Sequence, residues 1–248
     1  MTTIKNPYEA FPAAHYLSGN PYPGRGIIAG LTKNGKAAVA YFIMGRSENS
    51  RNRVFLKEGD DVRTKAYDES KLEDPSLIIY YPVRTIGKTL VVTNGDQTDT
   101  VAELCTGSSD LDSGVFAKAL RTRQFEPDGP NWTPRISAIL DLSGDQPFRY
   151  DMSILKSSDQ EGGGNIRNFF EYDGIPGEGR FIHTYQTDGS PIPTFMGEPD
   201  RVEIPDELDE FTDEIWNNLD EANKISLYVR YTDLKTGAYE DRLINKHC

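Results

Sequence analysis

The chain has 248 residues, a formal net charge of -12, two cysteines and three scattered histidines. That length is enough for a sizeable core in one large domain or two small ones. The acidic balance argues against a nucleic-acid binder, which carries a basic face, but leaves small anionic ligands open where arginines gather locally.

Two cysteines, Cys105 and Cys248, make no disulfide framework, and His15, His183 and His247 share no ligand spacing with Cys or Glu, so no built-in metal site is expected. No apolar run approaches 18 residues and no charged-then-apolar leader opens the chain, so neither a membrane span nor a signal peptide is read, and a reducing cytoplasm is the default.

Residues 1–20 are rich in Pro, Gly and aromatics without a sustained period. They read as an arm, disordered or laid over the body, with Tyr8, Phe11 and Tyr16 favouring the second. Residues 21–248 read as a single domain. Gly26–Leu31 and Ala37–Met44 flank an Asn-Gly turn and predict a hairpin. Directly after it come Arg46, Arg51 and Arg53 among Ser and Asn, a set that suits a phosphate or carboxylate, or simply a solvated loop.

Arg53–Phe55 predicts a short strand, and 59–75 a loop or short exposed strand. Leu77–Thr85 and Thr89–Thr93 predict a second hairpin around Gly87. Asn94-Gly95-Asp96 then breaks the strand, and Thr98 or Asp99 stands where a helix N-cap belongs. Helical periodicity follows from Asp99 and again over about 111–124, with an interruption at Gly107–Ser109.

A Pro/Gly-rich crossing from Phe125 to Arg135 holds the carboxylate Glu126. Strands are predicted at 136–142, 148–156, 167–172 and 180–186, and an irregular proline-rich stretch at 189–199. The strongest helix signal spans 207–224, where Leu208, Phe211, Ile215, Leu219 and Ala222 form one apolar stripe. Strand 225–232 follows, and the polar tail 235–248 is expected to be peripheral. Adjacent hairpins with helices in blocks imply a layered α+β fold with antiparallel sheets.

Certain stretches resemble the archaeal-type IMP cyclohydrolases, which close the purine ring in the last step of inosine monophosphate synthesis. These are Tyr22-Pro-Gly-Arg-Gly-Ile-Ile, Val39-Ala-Tyr41 with the loop ending Asn52-Arg53, and Ile79-Tyr80 through Arg84. Thr93-Asn-Gly-Asp-Gln-Thr-Asp-Thr100, Phe125-Glu126 and Thr133-Pro-Arg-Ile136 complete the set, which covers most of residues 22–145. The C-terminal half is similar only through His183-Thr-Tyr185 and the final helix and strand. The arm, the arginine loop and the segment 161–199 look longer than the family pattern.

The resemblance implies a four-layer αββα sandwich of two stacked antiparallel sheets, similar to Ntn hydrolases, and ring closure of 5-formamidoimidazole-4-carboxamide ribonucleotide with loss of water. It implies a purine-nucleotide substrate, no cofactor and no metal, and leaves a homo-oligomer open. By the same resemblance Arg53, Tyr80 and Glu126 carry the chemistry. Arg25, Arg46, Asn94, Asp99 and Arg135 are candidates for substrate binding.

Each has a plainer reading. Glu126 is exposed, Tyr80 is a sheet residue with a surface hydroxyl, Arg53 pairs with an acid, and Asp99 is only a cap. Two rival functions stand beside ring closure: a non-catalytic purine-nucleotide binder on the same scaffold, and an amide hydrolase using Thr2 as an exposed N-terminal nucleophile. The proline-rich arm between Thr2 and the first strand, and a family that does without such a nucleophile, weigh against the hydrolase.

Overall fold

The computed structural model describes residues 6–71, 79–106, 113–145 and 147–247. Thr2, Leu77–Ile78, the break at Gly107–Ser109, the start of the second predicted helix and Cys248 lie outside the described residues. Among those described, two antiparallel sheets stack face to face.

The first sheet contains β1 (Arg25–Leu31), β2 (Lys36–Met44), β10 (Glu178–His183), β11 (Asp200–Glu203), β12 (Lys224–Asp233) and β13 (Tyr239–Asn245), in the order β11-β10-β1-β2-β12-β13. The second contains β3 (Val54–Glu58), β4 (Asp61–Lys65), β5 (Val83–Ile86), β6 (Thr89–Thr93), β7 (Arg135–Asp141), β8 (Arg149–Ser157) and β9 (Asn165–Asp173), paired in chain order.

Side chains alternate across each strand, so every central strand feeds two cores. Ile27, Val39, Tyr41, Val92, Ala138, Met152 and Tyr228 meet between the sheets. Ile28, Ala40, Phe42 and Val229 point the other way and are covered by α1 (Ala13–Leu17) and α5 (Leu208–Asn218). Val91, Ile139 and Leu155 of the second sheet are covered by α3 (Gln97–Cys105) and α4 (Ser113–Arg121). Burial on both faces explains why β1, β2 and β7 are almost continuously apolar rather than alternating. The layers therefore run helix, sheet, sheet, helix, as the α+β reading anticipates.

Several boundaries differ from expectation. The helix expected over 207–224 ends at Asn218: Leu219 turns to extended backbone, yet remains buried, while Ala222 is exposed in the turn before β12. Apolar spacing thus outran the helix because Leu219 fills the same core from outside it.

The tail expected to be peripheral contributes β13, an edge strand on β12, and β11 lies just beyond the proline-rich stretch. The 59–75 region contributes β4, whose Val62 and Thr64 are fully buried. The first arm of the second hairpin is shorter than expected. Tyr80 and Tyr81 precede β5, and Tyr80 is tied instead to Thr64 by bonds of 2.9 Å in each direction.

The described part of the arm is laid on the body. Phe11 bridges to Val202, and Ala13 and Leu17 enter the outer core beside α5.

Phe211 is fully buried on α5 with its ring 6.1 Å from Tyr231. Phe211→Ala is expected to cost about 3–5 kcal/mol, read as a lower midpoint in chemical denaturation with an unchanged slope.

Candidate active site

The two sheets part at one end and leave a cleft of about 360 Å³. The start of β1, the end of β2 with the loop after it, the crossing before β7 and the segment after β10 all reach it.

Gly24 sets the entry to β1. Its φ is +80°, and a Cβ there would stand 2.2 Å from Thr184 Oγ1 and 2.6 Å from the Tyr185 ring, so only glycine fits. Arg25 follows, held by its backbone to Thr184 Oγ1 at 3.1 Å. Its guanidinium is buried and meets Glu126 Oε1 at 3.0 Å and the Asn94 carbonyl at 3.4 Å. Burial pulls this arginine down, but Glu126, then Tyr80, Tyr41 and Tyr185, outweigh it and hold Arg25 well above its ordinary range.

After β2 the chain makes a single helical turn, α2 (Glu48–Arg51), closed by a reciprocal Ser47–Ser50 capping box. That turn separates the three arginines of the loop. Arg46 reaches the cleft, lies 5.3 Å over the Tyr22 ring and pairs with Asp188. Arg53 also lines the cleft. It is 8 % exposed, and its side chain has one partner, the Ser50 carbonyl at 3.0 Å from Nε, with no carboxylate among the described residues. Arg51 turns away and clamps the loop to Gly45 and Asn223.

The crossing 125–133 closes on itself through Glu126 N–H to the Thr133 carbonyl at 2.9 Å. Glu126 and Asp128 are two apart in this stretch, and both line the cleft. Asp128 accepts from Thr133 N–H at 2.6 Å and from the Thr133 hydroxyl, which also contacts the Tyr185 hydroxyl. Burial pushes the Asp128 carboxyl up. The Thr133 bonds oppose this, Glu126 adds to it, and Arg25 offsets part. Burial likewise raises Tyr22 and Tyr185, so both rings stay protonated across the neutral range.

The cleft therefore brings together Arg25, Arg46, Arg53 and Glu126 of the residues singled out from sequence. Tyr80 sits outside its lining, 4 % exposed, with its hydroxyl 2.8 Å from that of Tyr41. Burial, then Tyr80, raises Tyr41 far above its usual range, so it keeps its proton. One of the two O–H groups donates to the other. The remaining proton has no acceptor among the described residues.

Asn94 is fully buried and spent on structure. Its amide donates to the Pro134 carbonyl at 2.9 Å and its oxygen accepts from Ile136 N–H at 2.9 Å and Gln97 Nε2 at 3.0 Å. Arg135 bonds Gln97 Oε1 at 2.7 Å and Asp96 at 2.8 Å, over a Gly95 whose Cβ would lie 2.2 Å from Arg135 Nη1. Asp99 stands apart from the cleft, about half exposed and paired with Arg84 at 2.9 Å. It is not an N-cap either: α3 begins two residues earlier, behind Asp96, which makes no side-chain cap bond.

Tyr22, Asp128, Thr133 and Tyr185 had no assigned role from sequence. Glu126 alone was singled out in the crossing; a second carboxylate two residues on, in the same loop, is the signal that could have added Asp128.

The fold is thus a two-sheet α+β sandwich whose cleft at one end is lined by arginine, tyrosine and carboxylate side chains. The chain belongs to the IMP cyclohydrolase-like protein family, whose model matches residues 22–237. It is similar to the IMP cyclohydrolase of Methanocaldococcus jannaschii, 37 % identical over 123 residues, covering 48 % of this chain and 57 % of that one. It is similar to the enzyme of that name from Methanococcus aeolicus, 30 % identical over 48 % of this chain and 58 % of that one. A third, from Methanopyrus kandleri, is 30 % identical over 57 % of this chain and 72 % of that one. The chain thus spans little more than half the length of the first two relatives.

Two predictions follow from these contacts. Asn94→Ala strips partners from buried groups of β7 and Gln97, at roughly 1–3 kcal/mol for each left unpaired. Urea unfolding should therefore show a marked loss of stability, whereas a side chain serving only a ligand would leave the midpoint in place.

The second concerns pH. Asp128 is raised in the fold above its unfolded value of about 3.9. Its contribution is fully present below that value and is lost as pH rises through the folded one. Asp128→Asn removes this slope, so the variant should gain on the wild type between pH 3 and 7, measured by urea midpoints across a pH series.

Proposed function

We propose that this protein is an IMP cyclohydrolase acting in purine biosynthesis in the cytoplasm. It closes 5-formamidoimidazole-4-carboxamide ribonucleotide to inosine monophosphate with loss of water. The observation that carries this is Arg53: a buried guanidinium, lacking a carboxylate partner among the described residues, faces a cleft that also holds the Arg25–Glu126 pair. A desolvated, uncompensated cation is costly alone and favourable once an anion arrives. Family membership and relatives named IMP cyclohydrolase support the choice of substrate. The described helices contain no stretch long and apolar enough to cross a membrane.

The chemistry joins the carboxamide nitrogen to the formyl carbon, then expels the formyl oxygen as water. No electrons leave or enter. An amide nitrogen is a weak nucleophile, so holding it against the formyl group supplies much of the acceleration. Negative charge gathers on the formyl oxygen and needs a donor already in place. In this reading Tyr80, outside the cleft lining but within reach of the Arg25 charge, donates to that oxygen once the substrate extends past Arg25, backed by Tyr41, whose hydroxyl 2.8 Å away completes the proton count. Arg53 orients the substrate and stabilises the developing charge. Glu126 takes the proton from the attacking nitrogen and returns one to the departing oxygen, with Arg25 at 3.0 Å fixing its carboxylate. Arg46 and Arg25 complete the anion-binding wall. Asn94 and Arg135 act behind that wall at the β6–α3 junction, while Asp99, paired with Arg84 on the outside, takes no part.

The test is ultraviolet absorbance of the formamido ribonucleotide with purified protein, against a protein-free control and with chelator present. Turnover is expected to persist under chelation. Glu126→Gln should lower it by about 10²–10⁴-fold, the usual weight of a positioned acid–base group. Saturable nucleotide binding without acceleration would overturn the enzymatic reading and assign the scaffold to nucleotide binding.

A further inference from the structure

At the opposite end of the sandwich a second cavity of about 360 Å³ lies among the β5–β6 turn, the end of β7 and the β12–β13 turn. The register places it there: Lys224 of β12 sits opposite Met44 at the cleft end, and Asp233 opposite Lys36 at the other.

Arg230 lines this cavity and is 3 % exposed. Nε donates to Thr232 Oγ1 at 3.1 Å and Nη1 to Thr85 Oγ1 at 3.0 Å, while the guanidinium lies 3.8 Å over the Tyr239 ring. A guanidinium has five N–H donors, and the other three reach no acceptor among the described residues. No carboxylate among those residues pairs with it.

The acids nearby have other partners, although one of them, Asp60, itself lines the cavity. Asp60 accepts from the Tyr239 hydroxyl at 2.6 Å, Asp61 from Thr85 N–H at 2.9 Å, and Asp233 from Lys235 and Thr236 N–H at 2.8 and 3.0 Å. Lys88 and Lys235 stand exposed on the rim.

A buried arginine is normally matched by an acid, because removing its hydration without a counter-charge is costly. Two hydroxyls and one ring face solvate this one without neutralising it. Arg230 and two rim lysines border one space, three cationic side chains of the kind that recognise a phosphate group. The volume exceeds what inorganic phosphate fills and falls in the range of small-ligand sites.

We propose that this cavity is a second ligand site, distinct from the cleft, that binds a phosphate-bearing small molecule through Arg230, Lys88 and Lys235. The proposal does not depend on ring closure occurring in the cleft.

The experiment is amide-resolved NMR of the full chain, titrated with inorganic phosphate and, separately, with ribose 5-phosphate. Saturable shifts at Gly87, Lys88, Thr236 and Gly237 are expected. Shifts at Gly45 and Ser47 report the cleft and keep the two sites apart. Lys88→Glu with Lys235→Glu should weaken distal binding about tenfold or more, leave the cleft shifts in place and leave ring-closure turnover unchanged. Arg230→Met should abolish distal binding. If that variant does not fold, the lysine pair decides.

Tighter binding of the sugar phosphate supports a phosphomonoester ligand, and equal binding supports free phosphate. Distal amides that stay still with both probes, or that respond with undiminished affinity in the lysine variant, overturn the proposal.

Discussion

The contact on which the candidate site depends is the Arg25–Glu126 pair. Arg25 belongs to the first sheet. Glu126 belongs to the crossing that leads into β7 of the second, and the Asn94 carbonyl that Arg25 also reaches directly follows β6 of that sheet. At the end where the sheets part, this pair is therefore a strut between them. Buried at 3.0 Å, it confers little net stability over an apolar filling, but losing either member would strand the other charge out of water. The carboxylate is thereby held in one position beside the tyrosines while remaining an acceptor.

Behind that strut, polar groups are arranged in depth. Asn94, Gln97 and Arg135 occupy the junction where β6 stops and α3 starts, each answered by a named partner. The junction fixes the height of the Asn94 carbonyl, and so of Arg25. The cleft proper is less saturated: Arg53 has one carbonyl partner, and the Tyr41–Tyr80 pair carries one surplus proton. Firm support behind and spare hydrogen-bonding capacity in front is the division of labour a ligand site requires.

Much of this was legible in the sequence where one physical signal dominated. The Asn34-Gly35 turn, the doubly apolar strands and the stripe from Leu208 to Ile215 read directly as elements. The elements that went unread are those whose stability comes from neighbours. β13 carries three successive charges, Glu240-Asp241-Arg242, on an edge strand with no fully buried position, β4 is short and polar with two buried positions, and β11 is four residues long. At the candidate site, arginines could be counted but not aimed. Arg51 and Arg53 are two residues apart in one turn, yet the first ties down the loop and the second faces the cleft. Asp96 and Asp99 share a helix start, and only the first touches Arg135. Direction of that kind is set by the tertiary fold, not by composition.

The short helix α1 also bears on where this domain can be cut. The family match starts at Tyr22, which invites trimming the chain there. Ala13 and Leu17, however, are sealed into the layer outside the first sheet, and Ala14 N–H is bonded to Glu214 of α5 at 3.0 Å. Asn20 donates to the Gln186 carbonyl at 2.9 Å, next to the segment that carries Tyr185 into the cleft. An excised 22–248 fragment would present a bare apolar strip along α5 and β10, a surface prone to self-association. The functional unit of folding is thus longer at its front than the unit of family resemblance.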